Sequence, residues 1–185
     1  MDRGLEGRLI SVFGGSDEAP GSPAYEVARD VGRRLAEKGF LVQNGGYGGV
    51  MEASSRGARE AGGRSIGITT RAFTFRTSGN AYLDVERPET DLFDRTRRLI
   101  DDAAGFIVLK GRTGTLAELT FLWALAKSGL LGDKPVILLG ESWNGLLFAL
   151  RRLDLLDPEA LVGTRVVDHP HDAVEAIHAL LPRSG

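Results

Sequence analysis

The chain of 185 residues has the length of a single domain. Its 23 Lys and Arg against 25 Asp and Glu leave a formal charge of −2, without the basic excess that a non-specific DNA or RNA binder needs, so nucleic acid is not an expected partner. Zero cysteines exclude a disulfide framework, cysteine-ligated zinc or iron–sulfur sites and a cysteine nucleophile, and they fit a reducing cytoplasm.

In chain order, the start at 1–8 is polar, and the apolar stretch at 9–13 is too short for a signal h-region or a membrane span. A cytoplasmic protein without membrane association is therefore expected. Short apolar runs bounded by glycine, proline or charge predict strands at 9–13, 40–43, 65–68, 81–85, 106–109, 136–139 and 165–167. Between them, helical periodicity predicts helices at 23–38, 50–61, 89–103, 115–128, 143–153 and 172–181. This alternation predicts one α/β domain over 1–185, a doubly wound parallel sheet of about seven strands with helices on both faces. Residues 69–80 lack periodicity and carry Arg71, Phe73, Phe75 and Arg76, so they are expected to form an irregular loop beside a pocket.

In such sheets ligands bind beyond the carboxyl ends of the strands, and three loops there are rich in glycine. Gly14, Gly15, Ser16 and Asp17 follow the first strand; Asn44, Gly45, Gly46, Tyr47, Gly48 and Gly49 follow the second and run into Met51. Glycines at a strand-to-helix turn let backbone N–H groups approach an anion, and phosphate is the natural guest. Tight turns and helix–sheet packing explain either loop alone equally well, and two such loops together favour phosphate. Neither loop matches GxGxxG, and no P-loop lysine motif exists, so a dinucleotide or P-loop site is not expected.

The third loop runs Lys110, Gly111, Arg112, Thr113, Gly114, Thr115, Leu116, Ala117, Glu118. Its N–H groups, its two threonine hydroxyls and its cations can surround a phosphate dianion. Thr115 and Glu118 also fit a capping box, and the spacing taken alone favours that use. Against it, Glu118 is the one ionisable side chain between Arg112 and Lys127 on a helix that is apolar almost all round. Such a helix is expected to be covered by a second copy of the chain, and a carboxylate on it is costly unless paired or used. Arg95 lies at the boundary of its helix's apolar stripe, and its spacing from Asp91 favours an ordinary surface pair. His169, His171 and His178 lack metal-ligand spacing, so no metal is expected, and Trp123 and Trp143 read as packing residues.

These residues resemble the lonely-guy-type phosphoribohydrolases, often labelled possible lysine decarboxylases. The family's V-F-x-G-S corresponds to Val12, Phe13, Gly15 and Ser16, and its GGxxGxM loop to Gly45, Gly46, Gly49 and Met51. Its hallmark PGGxGTxxE corresponds to residues 110–118, with the family's arginine at Arg95 and a typical Asp133, Lys134, Pro135 run further on. The resemblance implies a Rossmann-like homodimer that cleaves the N-glycosidic bond of a nucleoside 5′-monophosphate without metal or organic cofactor. It also implies Arg95 and Glu118 as the catalytic pair, with Gly15, Ser16, Gly45, Gly46, Gly49, Met51, Gly111, Arg112, Thr113, Gly114 and Thr115 holding phosphate and ribose. Arg95 would then keep Glu118 ionised.

A decarboxylase is not expected, because none of Lys38, Lys110, Lys127 and Lys134 sits in a pyridoxal phosphate pattern. The competing reading is a non-catalytic carrier of a phosphorylated ligand, like the molybdenum-cofactor carrier proteins of the same fold. The chain departs from the family pattern at Asn44, Glu52, Thr96, Lys110 and Arg112. Arg112 stands for a glycine, so either the loop is reshaped or the guanidinium points into the phosphate site.

Overall fold

The computed structural model describes residues 7–73 and 78–181, so Phe75 and Arg76 lie outside the described residues. Seven parallel strands form one sheet: β1 (Leu9–Phe13), β2 (Leu41–Asn44), β3 (Ser65–Thr70), β4 (Val85–Glu89), β5 (Gly105–Leu109), β6 (Val136–Leu139) and β7 (Thr164–Val167). Their order is β4-β3-β2-β1-β5-β6-β7, which reverses direction of growth between β1 and β5. That reversal opens a crevice above the carboxyl ends of β1 and β5.

Helices α1 (Pro23–Glu37), α2 (Val50–Glu60) and α6 (Pro170–Leu180) pack on one face with Ile10, Val12, Val42, Ile107 and Ile137 of the sheet. Helices α3 (Leu92–Asp101), α4 (Thr113–Lys127) and α5 (Ser142–Arg152) cover the other with Phe13, Ile66, Phe106, Val108 and Leu138. The expected doubly wound, Rossmann-like sheet is therefore the observed one. Alternate residues of β5 and β6 enter opposite cores, and their continuous apolar runs reflect burial on both sides. On the first face α1 and α2 press together at Gly32 and Gly57. A methyl there would lie 2.0 Å from the Ser54 carbonyl oxygen and 1.9 Å from that of Arg29.

Three expectations are corrected. The fourth strand is Val85–Glu89, not 81–85, because Asn80 turns the chain at 80–83 and the strand is a half-buried edge that pairs only with β3. Pro88 is tolerated on such an edge, where a missing N–H breaks no second ladder. β3 extends to Thr70, taking residues 69 and 70 out of the expected loop, with Arg71 N–H bonded to the Glu89 carbonyl. A 3₁₀ turn at Pro158–Leu161, absent from the pattern reading, packs Ala160 under α4. Among the described residues no helix is long and apolar enough to cross a membrane.

Candidate active site

Helix α4 begins two residues earlier than its pattern suggests, at Thr113 with Arg112 as the N-cap residue. Arg112 is extended (φ −106°), so the backbone here does not demand glycine and the loop need not be reshaped. Gly111 is different. A methyl there would lie 2.0 Å from Thr115 Oγ1, so the tight turn beneath the helix admits no side chain. Among the described residues no side chain caps α4, whereas Ser22 caps α1 and Asp91 caps α3. The first-turn N–H groups of α4 therefore face the crevice with the positive end of the helix dipole. The comparable end of α2 is tied down, since Val50 N–H donates to the Gly15 carbonyl at 2.9 Å.

Because the helix starts at Thr113, Thr115 is not its cap and Glu118 lies in the second turn. The capping-box reading fails, and Glu118 instead faces the pocket. Its Oε1 sits 3.7 Å from Arg95 Nη1, with the two side chains 15% and 10% exposed. Burial pushes the Glu118 carboxyl up to about 7, and the Arg95 charge opposes that rise. Burial thus works against the ionised form that the Arg95 charge favours.

Arg95 is a buried residue, not a partner of Asp91 at the surface. Its Nε donates to the Ile68 carbonyl at 2.8 Å and Nη2 to that of Gly45 at 3.2 Å, and its guanidinium lies 5.9 Å from the centre of the Tyr47 ring. A Cβ on Gly45 would meet Nη2 at 1.7 Å, so glycine is what lets the arginine pass beneath the loop. Side chains hold α3 in register at its far end. Ser11 Oγ and Gln43 Nε2 donate to the Leu99 carbonyl at 2.7 and 3.1 Å, and Lys134 Nζ donates to those of Ile100 and Asp101 at 2.8 and 3.0 Å. Asn44, in place of the family's glycine, ties the second loop internally: its amide donates to Met51 O, Ser54 Oγ and Ser55 Oγ, while its Oδ1 accepts from Gly46 N–H.

The resulting cavity is about 440 Å³, within the range of small-molecule sites. Of the residues singled out in the sequence, Gly15, Ser16, Gly45, Met51, Arg95, Gly111, Arg112, Gly114, Thr115 and Glu118 line it together; Gly46, Gly49 and Thr113 do not. Residues the motifs left unassigned also line it, chiefly Asp17, Glu18, Tyr47 and Phe73, as does Lys110 of the third loop. Phe73 stands 5.7 Å from Tyr47, ring centre to ring centre, and its lack of periodic neighbours was the signal for it. Glu18 carried no signal, because only folding brings it over Gly15.

The cytokinin riboside 5′-monophosphate phosphoribohydrolase of Mycobacterium tuberculosis is 32% identical over 160 residues, 82% of this chain and 83% of that one. The model of the SLOG cluster4 family matches residues 7–153. The chain belongs to this family. For this SLOG cluster4 protein, the resemblance to lonely-guy-type phosphoribohydrolases is a true relationship. The crystal structure of TM1055 is similar at 31% identity and a TM-score of 0.74, over 93% of this chain and 99% of that one. The molybdenum cofactor carrier protein of Chlamydomonas reinhardtii is similar in fold, with a TM-score of 0.71 at 23% identity over 94% of this chain and 98% of that one.

Proposed function

We propose that the protein is a nucleoside 5′-monophosphate phosphoribohydrolase that hydrolyses the N-glycosidic bond of AMP or an N6-modified AMP. The observation that carries this reading is the Arg95–Glu118 pair on the pocket wall, one turn along α4 from an uncapped, anion-seeking terminus. The substrate phosphate docks at that terminus against Gly15 and Ser16, which places the ribose over Glu118. As the C1′–N bond breaks, its electron pair leaves on the base and positive charge grows on the ribosyl ring. The Glu118 carboxylate stabilises that charge. Water then adds its oxygen to C1′ and passes its proton to Glu118, whose pKa near 7 suits a general base at neutral pH. The proton taken up by Glu118 is passed, through solvent, to the departed base, which restores the carboxylate and leaves ribose 5-phosphate. Arg95 orients the carboxylate and holds its pKa below the value that burial alone would impose.

The relatives named for this activity support the reading. So does the surface. Phe93 of α3, Leu116 and Phe121 of α4, and Leu130 beyond it are exposed on the face that carries the pair, and a two-fold copy of the chain is the proposed cover. The test is to incubate the protein with a panel of nucleoside monophosphates and follow free base by chromatography. Base release that falls by about 10²- to 10³-fold in Glu118→Gln is expected. No release from any of them overturns the proposal, and binding without release favours the carrier reading.

A further inference from the structure

Arg112 and Asp17 meet above the phosphate end of the cavity. Nη1 of the arginine, on the β5–α4 loop, lies 3.1 Å from Oδ2 of the aspartate on the β1–α1 loop, and both line the pocket. The two loops are already joined below, where Gly15 N–H donates to the Lys110 carbonyl at 3.1 Å. The ion pair therefore adds little to the packing of the loops. With the side chains 87% and 63% exposed, it is also an easily broken pair. The Asp17 carboxylate is nevertheless oriented, because its other oxygen accepts from Ser16 Oγ at 2.9 Å. Glu18 lines the same wall next to Gly15. This end of the pocket thus holds two cations, Lys110 and Arg112, balanced by two carboxylates, at the mouth of an anion site.

Two acids beside a phosphate cradle oppose binding unless they discriminate between anions. We propose that Asp17 and Arg112 form a charge-exchange latch. A terminal phosphate takes the Arg112 guanidinium from Asp17, and the released carboxylate, together with Glu18, repels any further phosphate. The site is then restricted to ligands that end in a single phosphate group. This rests on the nucleotide reading above and assigns its phosphate selectivity to Asp17, outside the family motifs, and to Arg112, where the chain departs from the hallmark. Arginine suits the exchange, since its planar fork pairs as well with phosphate as with carboxylate.

The test is calorimetric binding of AMP, ADP and ribose 5-phosphate to the purified chain, to Asp17→Asn, to Arg112→Ala, and to the doubles Asp17→Asn/Glu18→Gln and Asp17→Asn/Arg112→Ala. Asp17 and Arg112 are at the surface and Glu18 is half-buried on the pocket wall, and the amide oxygen introduced by Asp17→Asn can still accept from Ser16, so unchanged melting temperatures serve as the folding control. The unmodified protein should prefer AMP and ribose 5-phosphate to ADP. Asp17→Asn/Glu18→Gln should narrow the AMP-to-ADP ratio by about tenfold, and added salt should narrow it in the unmodified protein. Asp17→Asn alone should tighten AMP binding, and that gain should vanish when Arg112 is also replaced by alanine. An unchanged ratio in the acid-neutralised double overturns the latch, as does a gain from Asp17→Asn that survives loss of Arg112. Base release with an unchanged ratio sinks the latch and leaves the hydrolase reading standing; the expected ratios without base release do the reverse. Absence of binding by all three ligands removes both.

Discussion

The two faces of the sheet are finished in different ways. Over α1 and α2 the surface is closed by charge: Arg29 pairs with Glu26 and Glu60, Arg56 with Glu60, Arg33 and Arg34 with Asp30, and the helices interlock through Gly32 and Gly57. Over α4 the surface is left apolar, with Phe121 47% exposed and Phe93 of α3 82% exposed, although α3 also carries the pairs of Arg97 with Asp94 and of Arg98 with Glu89 and Asp102. Yet this second face supplies both members of the Arg95–Glu118 pair, while the first contributes to the pocket chiefly through its loops. The side that a second copy is proposed to cover is the side that carries the proposed catalytic pair. Assembly and catalysis are thereby coupled in the proposed homodimer.

The sharpest way to break this contrast is Phe121→Asp. Charge at the centre of the apolar face should convert the assembly to monomers in sedimentation and lower base release with it; an unchanged mass would remove the coupling. Next comes the pH dependence of stability. Burial raises the Glu118 pKa from 4.5 to about 7, so between those values the folded protein holds more protons than the unfolded chain. Stability from this group is therefore complete below pH 4.5 and is lost as pH rises through about 7. Relative to Glu118→Gln, the protein should lose about 3 kcal/mol across that window in denaturant titrations, since each pKa unit is about 1.4 kcal/mol.

On the opposite face, Gly57→Ala forces a methyl against the Arg29 carbonyl. It should destabilise by about 1–3 kcal/mol without changing the oligomeric mass. Arg29→Ala should change the unfolding free energy by under about 1 kcal/mol, because its partners are solvated and screened. A loss from Arg29→Ala equal to that from Gly57→Ala would mean that charge, not close packing, holds this face.

The fold was legible wherever the physics is local. β1, β5 and β6 are largely apolar runs between glycines and charges, the trace that doubly buried strands leave, and β2 shows it over Phe40, Leu41 and Val42. β4 was misplaced because a half-buried edge strand reading Val-Glu-Arg-Pro-Glu packs Val85 against the core and little else that is apolar, and so leaves little trace. The start of α4 was hidden for a related reason: Arg112 caps nothing with its side chain, and Thr115, three residues on, has the composition of a cap without the position. Glu118 stood out because its neighbours are apolar. The burial of Arg95 was beyond reach, since it depends on a missing Cβ fifty residues away at Gly45. The same holds for the meeting of Asp17 with Arg112, which only the adjacency of β1 and β5 creates.

Helix α4 carries both the anion-seeking terminus and the carboxylate, so one rigid rod sets the span between them. Five residues separate Thr113 from Glu118, about 7.5 Å of axial rise. The rod works as a gauge for whatever is gripped at its tip. A single residue inserted between tip and carboxylate would lengthen that gauge only slightly but would swing Glu118 by about 100° around the axis, away from the cavity. The extended backbone at Arg112 accepts a side chain, whereas the count along the first two turns of the helix leaves no such latitude.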